Sequence, residues 1–214
     1  MTASLKAQYE HRYSNILVPA AASLEALIRD HMRTAPEIER VDRITVRAKS
    51  VESFLDKAAK VDEIKTPRYS DPLVQIQDQI GARIIVFYKD DIEAAQERVK
   101  RYFTFAEQKI KEPESEWEFG YFGLHFILSL PADVIPRGIE KAAAPTHFEL
   151  QIRTLFQHAW SEAEHDLIYK AKAIVTSDHK RQCAYAAAQA WGADRIFDEL
   201  CTQLKPKTES RPDP

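Results

Sequence analysis

Two carboxylates on separate segments, Asp78 and Glu149, are the side chains here best suited to hold a divalent cation against a polyphosphate. Glu149 lies in THFELQIRTLFQHAWSEAEHDLIYK, residues 146–170, where polar and apolar residues alternate before a helical pattern begins. In a strand, His147, Glu149, Gln151 and Arg153 project to one face and Phe148, Leu150 and Ile152 to the other. A solvated strand face more often mixes Lys, Thr and Ser, so this one reads as facing a ligand. Asp78, in QIQDQIGARIIVF, stands at the mouth of an apolar run rich in Ile and Val. Carboxylates converging from adjacent strands hold Mg2+ while water and phosphate oxygens fill its remaining positions. Taken alone, Asp78 suits a capping role equally well.

Cations stand at compatible spacings. RITVRAKSVESFLDKAAK puts Arg47 and Lys49 two apart, on one face of a strand, with Lys57 one helical segment later. Together they could clamp a triphosphate, or they form a solvated basic face. Arg83 adds a second guanidinium near Asp78, and two such planes can sandwich a purine, each contributing about 0.5–2 kcal/mol when desolvated. In GYFGLHF, Tyr121, Gly123 and His125 share a face. Tyr121 could stack an acceptor base while His125 meets its phosphate or ribose; the alternative is an exposed Tyr and a core His. His158, Glu162 and His165 share a helical face at spacings of four and three. The H-E-x-x-H pattern of zinc hydrolases is absent, however, and a His beside Trp160 is more often packed than metal-bound.

These side chains require a sheet with helices around it. Residues 43–49 alternate as a strand, and Ser50 offers an N-cap, with Ser53 at the capping-box position, for a helix through Lys60. Asp71 and Pro72 start a helical turn, residues 80–88 read as a buried strand, and Asp90 caps a helix to about Tyr102. Strands follow over 103–109, 122–130 and 147–153, then helices over 155–171 and 177–204. Residues 5–31 show helical periodicity interrupted at Pro19, which predicts a bent helix or two helices acting as packing scaffold. The expected fold class is α+β, a mixed sheet flanked by helices with N- and C-terminal helical extensions. The division expected is a helical arm over 1–39, a central domain over 40–175, a C-terminal helix over 176–205 and a flexible tail over 206–214. Trp191, Phe197 and Leu200 fall at helical spacing and read as core or oligomer contacts.

Composition narrows the functional classes. The chain of 214 residues is 44% hydrophobic and 29% charged, with five glycines, as in an ordinary globular domain. A chain this long buries roughly 70% of its unfolded surface without a metal or disulfide staple. A formal charge of −3 supplies no general attraction to nucleic acid or anionic membrane, so an anionic ligand must be held by a local Lys/Arg cluster. Cys183 and Cys201 are too few and too far apart for a zinc site or disulfide framework and read as buried thiols. Without an apolar leader or an 18-residue apolar run, a cytoplasmic protein with no membrane partner is expected.

The stretch ELQIRT closely resembles the E-x-Q-I-R-T signature of the RelA/SpoT-type nucleotide pyrophosphokinases, with a trailing helix carrying E-H (Glu164, His165) and Y-K (Tyr169, Lys170). With the Arg47 to Lys57, Asp78 to Arg83 and Tyr121 to His125 segments in the same order, the resemblance covers about residues 40–170. It implies a nucleotidyltransferase-like sheet and a GTP pyrophosphokinase-type activity that moves the β,γ-pyrophosphate of ATP to the 3'-hydroxyl of GDP or GTP, making the (p)ppGpp alarmone. By the same resemblance, Arg47 and Arg83 enclose adenine, Lys49 and Lys57 contact the ATP phosphates, and Asp78 binds Mg2+. Tyr121 stacks the acceptor guanine, and His125 lies near the acceptor's phosphates. Glu149 binds Mg2+ or deprotonates the acceptor hydroxyl, with Gln151 and Arg153 as supporting neighbours. Relatives that use guanine nucleotides often read G-Y-R-S-L-H, where this chain has Phe122 and Gly123, and the preceding loop KEPESEWEF is acidic. Those departures keep three alternatives open: transfer to an adenine nucleotide, transfer to the 3' end of tRNA in a toxin-like relative, or a catalytically silent nucleotide-binding module. The resemblance also leaves room for a homo-oligomer and for a neutralising antitoxin partner.

Overall fold

The structure, a computed structural model, describes residues 4–204 apart from 36, 37, 39, 112–114, 116, 117, 121, 122 and 172. Five strands, β1 (Val41–Ala48), β2 (Ile80–Val86), β3 (Phe105–Lys111), β4 (Gly123–Ser129) and β5 (His147–Thr154), form one sheet in the order β1-β2-β5-β4-β3. Only β2 and β5 run parallel; the other neighbours are antiparallel. The fold is therefore α+β with a mixed sheet, as the interleaved strand and helix patterns indicate.

One face of the sheet is apolar. Ile44, Ala82, Ile84, Val86, Phe126, Leu128, Phe148, Leu150 and Ile152 are buried against helices α1 (Leu5–Arg12), α2 (Val18–Arg33), α3 (Val51–Ala58) and α5 (Asp90–Tyr102). The other face carries the polar residues and is partly covered by α6 (Leu155–Glu164), on which α7 (Ser177–Leu204) packs. Residues of the N-terminal segment, Tyr9, Leu17, Leu24 and Ile28 among them, are fully buried in the same core as the sheet. Arg98 fastens α5 to the end of α2 by donating to the carbonyls of His31 (3.1 Å) and Thr34 (3.0 Å).

The interruption expected at Pro19 takes a specific form. A π-helical turn at Tyr13–Leu17 joins α1 to α2 with helical backbone on both sides, and Pro19 falls in the first turn of α2, just past the wider turn. The same wide turn ends the helix after β5: His165–Tyr169 is π-helical, so α6 stops at Glu164 rather than continuing to 171. Tyr169 is exposed there and stacks on His165, so it does not fasten the helix to the body. Asp90 sits inside the first turn of α5; the N-cap position belongs to Lys89, and the Asp90 amide donates to Asp198 of α7 at 3.1 Å. The third strand starts at Phe105, two residues later than its pattern suggests, because Phe103 still closes α5, its amide donating to the Val99 carbonyl at 3.0 Å. Cys183 and Cys201 are half-buried rather than enclosed, and residues 206–214 lie outside the described residues. No helix among the described residues is long and apolar enough to cross a membrane.

Candidate functional site

Strand register brings the polar residues onto one face. Arg47 pairs with Gly81 and Thr45 with Arg83 across β1 and β2; Gly81 pairs with Glu149 and Arg83 with Gln151 across β2 and β5. Gln151 pairs with His125 across β5 and β4. Because directly opposed residues point the same way, Arg47, Arg83, Glu149, Gln151 and His125 project from one side of four adjacent strands. Gly81 leaves the floor open: a side chain built there would meet no atom within 4 Å and would stand in the cleft above.

Asp78 precedes β2 in a short 3₁₀ turn, Gln77–Gln79, and aims at this face. Its Oδ2 accepts from Lys49 Nζ at 3.1 Å and from Lys57 Nζ at 2.9 Å, so one carboxylate gathers two lysines from β1's end and α3. Ser50 places Lys57 there: its hydroxyl accepts from the Ser53 amide at 3.2 Å, capping α3 as its position in the sequence suggests. The helix N-terminus, bearing partial positive charge, thus opens beside Lys49.

Two clefts meet at Asp78 and Glu149. The narrower, about 190 Å³, lies over β1 and β2 and is lined by Thr45, Arg47, Lys49, Ser50, Ser53, Asp78, Gly81, Arg83, Glu149 and Gln151. The wider, about 450 Å³, lies toward β4 and is lined by Lys57, Arg68, Tyr69, Gln77, Asp78, His125 and Glu149. Such a pair suits two ligands reacting across a shared pair of carboxylates.

Glu149 is partnered by His125, whose Nδ1–H donates to Oε1 at 2.6 Å. The histidine is buried, so both descriptions offered by its sequence hold: it packs in the core and it reaches the wider cleft. Arg153 is also buried, donating to Ser161 of α6 at 2.9 Å and to Gln151 Oε1 at 2.6 Å. The polar face of β5 therefore ends before Arg153, which orients Gln151 instead of meeting ligand. Arg83 is paired with Glu162 of α6 at 2.8 Å. That contact takes Glu162 away from any triad with His158 and His165. Burial pushes the His158 imidazole below its ordinary pKa, opposed by Glu162 and reinforced by Arg83, Arg43 and Arg153. Tyr121 and Phe122 lie outside the described residues.

Several contributors lie far away in sequence. The Tyr9 hydroxyl donates to the carbonyl of Lys49 at 2.9 Å while its ring stacks on Phe54 at 3.6 Å. Burial, with Asp78 nearby, pushes this phenol well above its usual pKa and keeps it a donor. Arg12 donates to the carbonyl of Leu73 (2.7 Å) and to Gln79 (3.2 Å), and the Lys49 amide donates to the Gln79 carbonyl (2.8 Å). Helix α1 therefore braces the two segments that present Lys49 and Asp78. Arg68 and Tyr69 reach the wider cleft from the loop before α4 (Pro72–Gln75). No periodicity marks these residues; their positions depend on how distant segments pack.

The donor set fits a divalent cation. Asp78 Oδ1 is buried and has no hydrogen-bond partner, and Glu149 lines both clefts beside it. Among the described residues no group of three or more His, Cys, Asp or Glu could hold a metal alone. Two carboxylates suit an ion that takes its other oxygens from water and phosphate.

Comparison with known proteins agrees with this geometry. Residues 46–174 match the model of the region found in RelA/SpoT proteins. The chain is 28% identical over 204 residues to the GTP pyrophosphokinase YjbM of Bacillus subtilis (strain 168), covering 89% of each. It is 30% identical over 171 residues to YwaC, another GTP pyrophosphokinase of that organism, covering 79% of this chain and 76% of the relative. Among solved structures, small alarmone synthetase 1 from Bacillus subtilis bound to its product pppGpp superposes with a TM-score of 0.71 at 23% identity, covering 93% of this chain and 99% of that one. With most of the sheet and both carboxylates inside the matched region, the chain belongs to the RelA/SpoT family.

Proposed function

We propose that this chain is a cytoplasmic nucleotide pyrophosphokinase that transfers the β,γ-pyrophosphate of ATP to the 3'-hydroxyl of GDP or GTP. The observation that carries this reading is the pair of clefts on one sheet face with Asp78 and Glu149 at their junction. Its relatives' names, GTP pyrophosphokinases, support the same chemistry.

ATP occupies the narrower cleft. Arg47 and Arg83 flank the adenine, Lys49 and the N-terminus of α3 meet the phosphates, and Lys57 joins them from the cleft junction, where it pairs with Asp78. The acceptor occupies the wider cleft, its 3'-hydroxyl directed to Glu149; the family resemblance of the Tyr121 to His125 segment supports Tyr121 as the residue that stacks its base. Mg2+ held by Asp78 and Glu149 would neutralise charge on the phosphate oxygens when bound. Before ATP arrives the two lysines rest on Asp78, so the site keeps its cations ordered without leaving them uncompensated.

In the reaction, the acceptor 3'-oxygen forms a bond to the β-phosphorus of ATP, the bond from that phosphorus to the α,β-bridging oxygen breaks, and AMP leaves. Glu149 accepts the hydroxyl proton, and His125, donating to Glu149, fixes the orientation of the carboxylate. Lys49 and Lys57 stabilise the charge moving onto the departing bridge oxygen. Gln151, held by Arg153, borders the adenine side of the same face.

The test is to incubate purified protein with Mg2+ and γ-labelled ATP, offering GDP, GTP, ADP, ATP and deacylated tRNA separately, and to resolve the products. Label on a guanine nucleotide with stoichiometric AMP is the expected result. Label on another acceptor would replace the acceptor assignment, and ATP binding without transfer would overturn the enzymatic reading.

A further inference from the structure

The wider cleft poses an electrostatic problem. A guanosine diphosphate or triphosphate brings several negative charges to a cavity whose junction already holds Asp78 and Glu149. Lys57, which also lines this cleft, rests on Asp78 at 2.9 Å and is assigned above to the ATP phosphates. Residues 112–119, between β3 and β4 in the sequence, add four glutamates and no Lys or Arg. One further cation lines this cleft among the described residues, Arg68, and no carboxylate among them pairs with it.

Arg68 is carried by a built loop. Val61 and Pro67 form an antiparallel bridge, the Arg68 amide donates to the Lys60 carbonyl at 2.9 Å, and the Asp62 amide donates to the Thr66 carbonyl at 2.9 Å. Asp62 Oδ1 in turn accepts from the amides of Ile64 (3.0 Å) and Thr66 (2.8 Å), an arrangement that fixes the turn. Lys65 takes a left-handed conformation, φ 64°, at the tip. Tyr69, which packs against the core, anchors the loop's exit, with the Arg68 guanidinium 5.9 Å from its ring centre. The backbone that delivers Arg68 is thus ordered before ligand arrives, which lowers the entropy lost on binding.

We propose that Arg68 receives the 5'-phosphates of the acceptor and so selects a phosphorylated guanosine over an uncharged nucleoside; this rests on the acceptor occupying the wider cleft. A planar guanidinium can give two parallel hydrogen bonds to phosphate oxygens, which a point charge such as Lys57 does not.

The experiment compares the wild type with Arg68→Ala and Arg68→Lys by steady-state kinetics with GDP, GTP and ATP, using guanosine as a competitor. In Arg68→Ala the KM for GDP and GTP should rise about tenfold or more, the KM for ATP should stay within about twofold, and inhibition by guanosine should be unchanged. Arg68→Lys should recover part of the loss. The proposal is overturned if acceptor KM is unchanged, if ATP KM rises as much as acceptor KM, or if guanosine inhibition weakens in parallel. A wild type that transfers nothing to guanine nucleotides would instead refute the underlying acceptor assignment, so the two failures are separable.

Discussion

Replacing Asp194 by asparagine should stabilise this protein at neutral pH, although it removes a charged side chain that makes a short hydrogen bond. Asp194 lies in α7, is 3% exposed, and accepts from Thr154 Oγ1 at 2.7 Å; its other oxygen is buried without a partner. Burial pushes its pKa from 3.8 up to about 6, with Asp198 acting in the same direction and Thr154 and Lys89 opposing. The folded state therefore holds a proton more tightly than the unfolded one. Its contribution to stability is fully present below about pH 3.8 and is lost as pH rises through about 6. That pKa difference corresponds to about 3 kcal/mol at neutral pH, an upper bound on the penalty of burying the charge. Asparagine keeps an acceptor for Thr154 but buries an amide with unmet donors, which returns about 1 kcal/mol. The net gain of about 1–2 kcal/mol should raise Tm by about 2–8 °C for a chain of this size. Thermal and denaturant unfolding from pH 5 to 8 would measure it. The advantage should shrink as pH falls from 8 to 5. A variant less stable at pH 7.5, or an advantage independent of pH, would refute the reasoning.

Three further outcomes concern the site. Glu149→Gln should lower transfer by about 10²- to 10⁴-fold while the circular dichroism spectrum and Tm stay near wild type, since the amide oxygen can still accept from His125; near-normal turnover in the folded variant would remove Glu149 as the base. Asp78→Asn should raise the Mg2+ concentration needed for half-maximal activity and cut transfer at least about 100-fold, read from a Mg2+ titration, because it takes away the charge facing Lys49 and Lys57. Tyr9→Phe keeps the stack on Phe54 but leaves the Lys49 carbonyl without its donor, so it should cost about 1 kcal/mol in denaturant unfolding and lower kcat severalfold.

The strands were legible because their patterns are local. Residues 147–152 alternate, 80–86 form a buried apolar run, and both become strands because a β side chain's facing depends on its own position along the chain. Legibility ended where a face changes its environment midway: Arg153 continues the polar alternation of Glu149 and Gln151, yet α6 folds over it and turns it into a buried tie to Ser161. The helix after β5 was overextended for a related reason, since a π-helical turn has nearly the composition of the α-helix it interrupts.

By itself the sequence determined the α+β class, the carboxylates Asp78 and Glu149, the cations near them, and the family, because strand alternation, capping residues and signature spacing are properties of neighbouring residues. Only the tertiary structure decided that Lys49 and Lys57 converge on one carboxylate, that His125 meets Glu149, that Tyr9 and Arg12 brace the site, that Arg68 enters the wider cleft, and that Asp194 is buried against Thr154. Those contacts join residues 24 to 67 positions apart, apart from the Lys57 and Arg68 placements, which hang on the local loop and helix that the sheet orients. A one-dimensional pattern carries the facing of a side chain but not the identity of the side chain it will face, and the packing of the sheet against its helices supplies that second half.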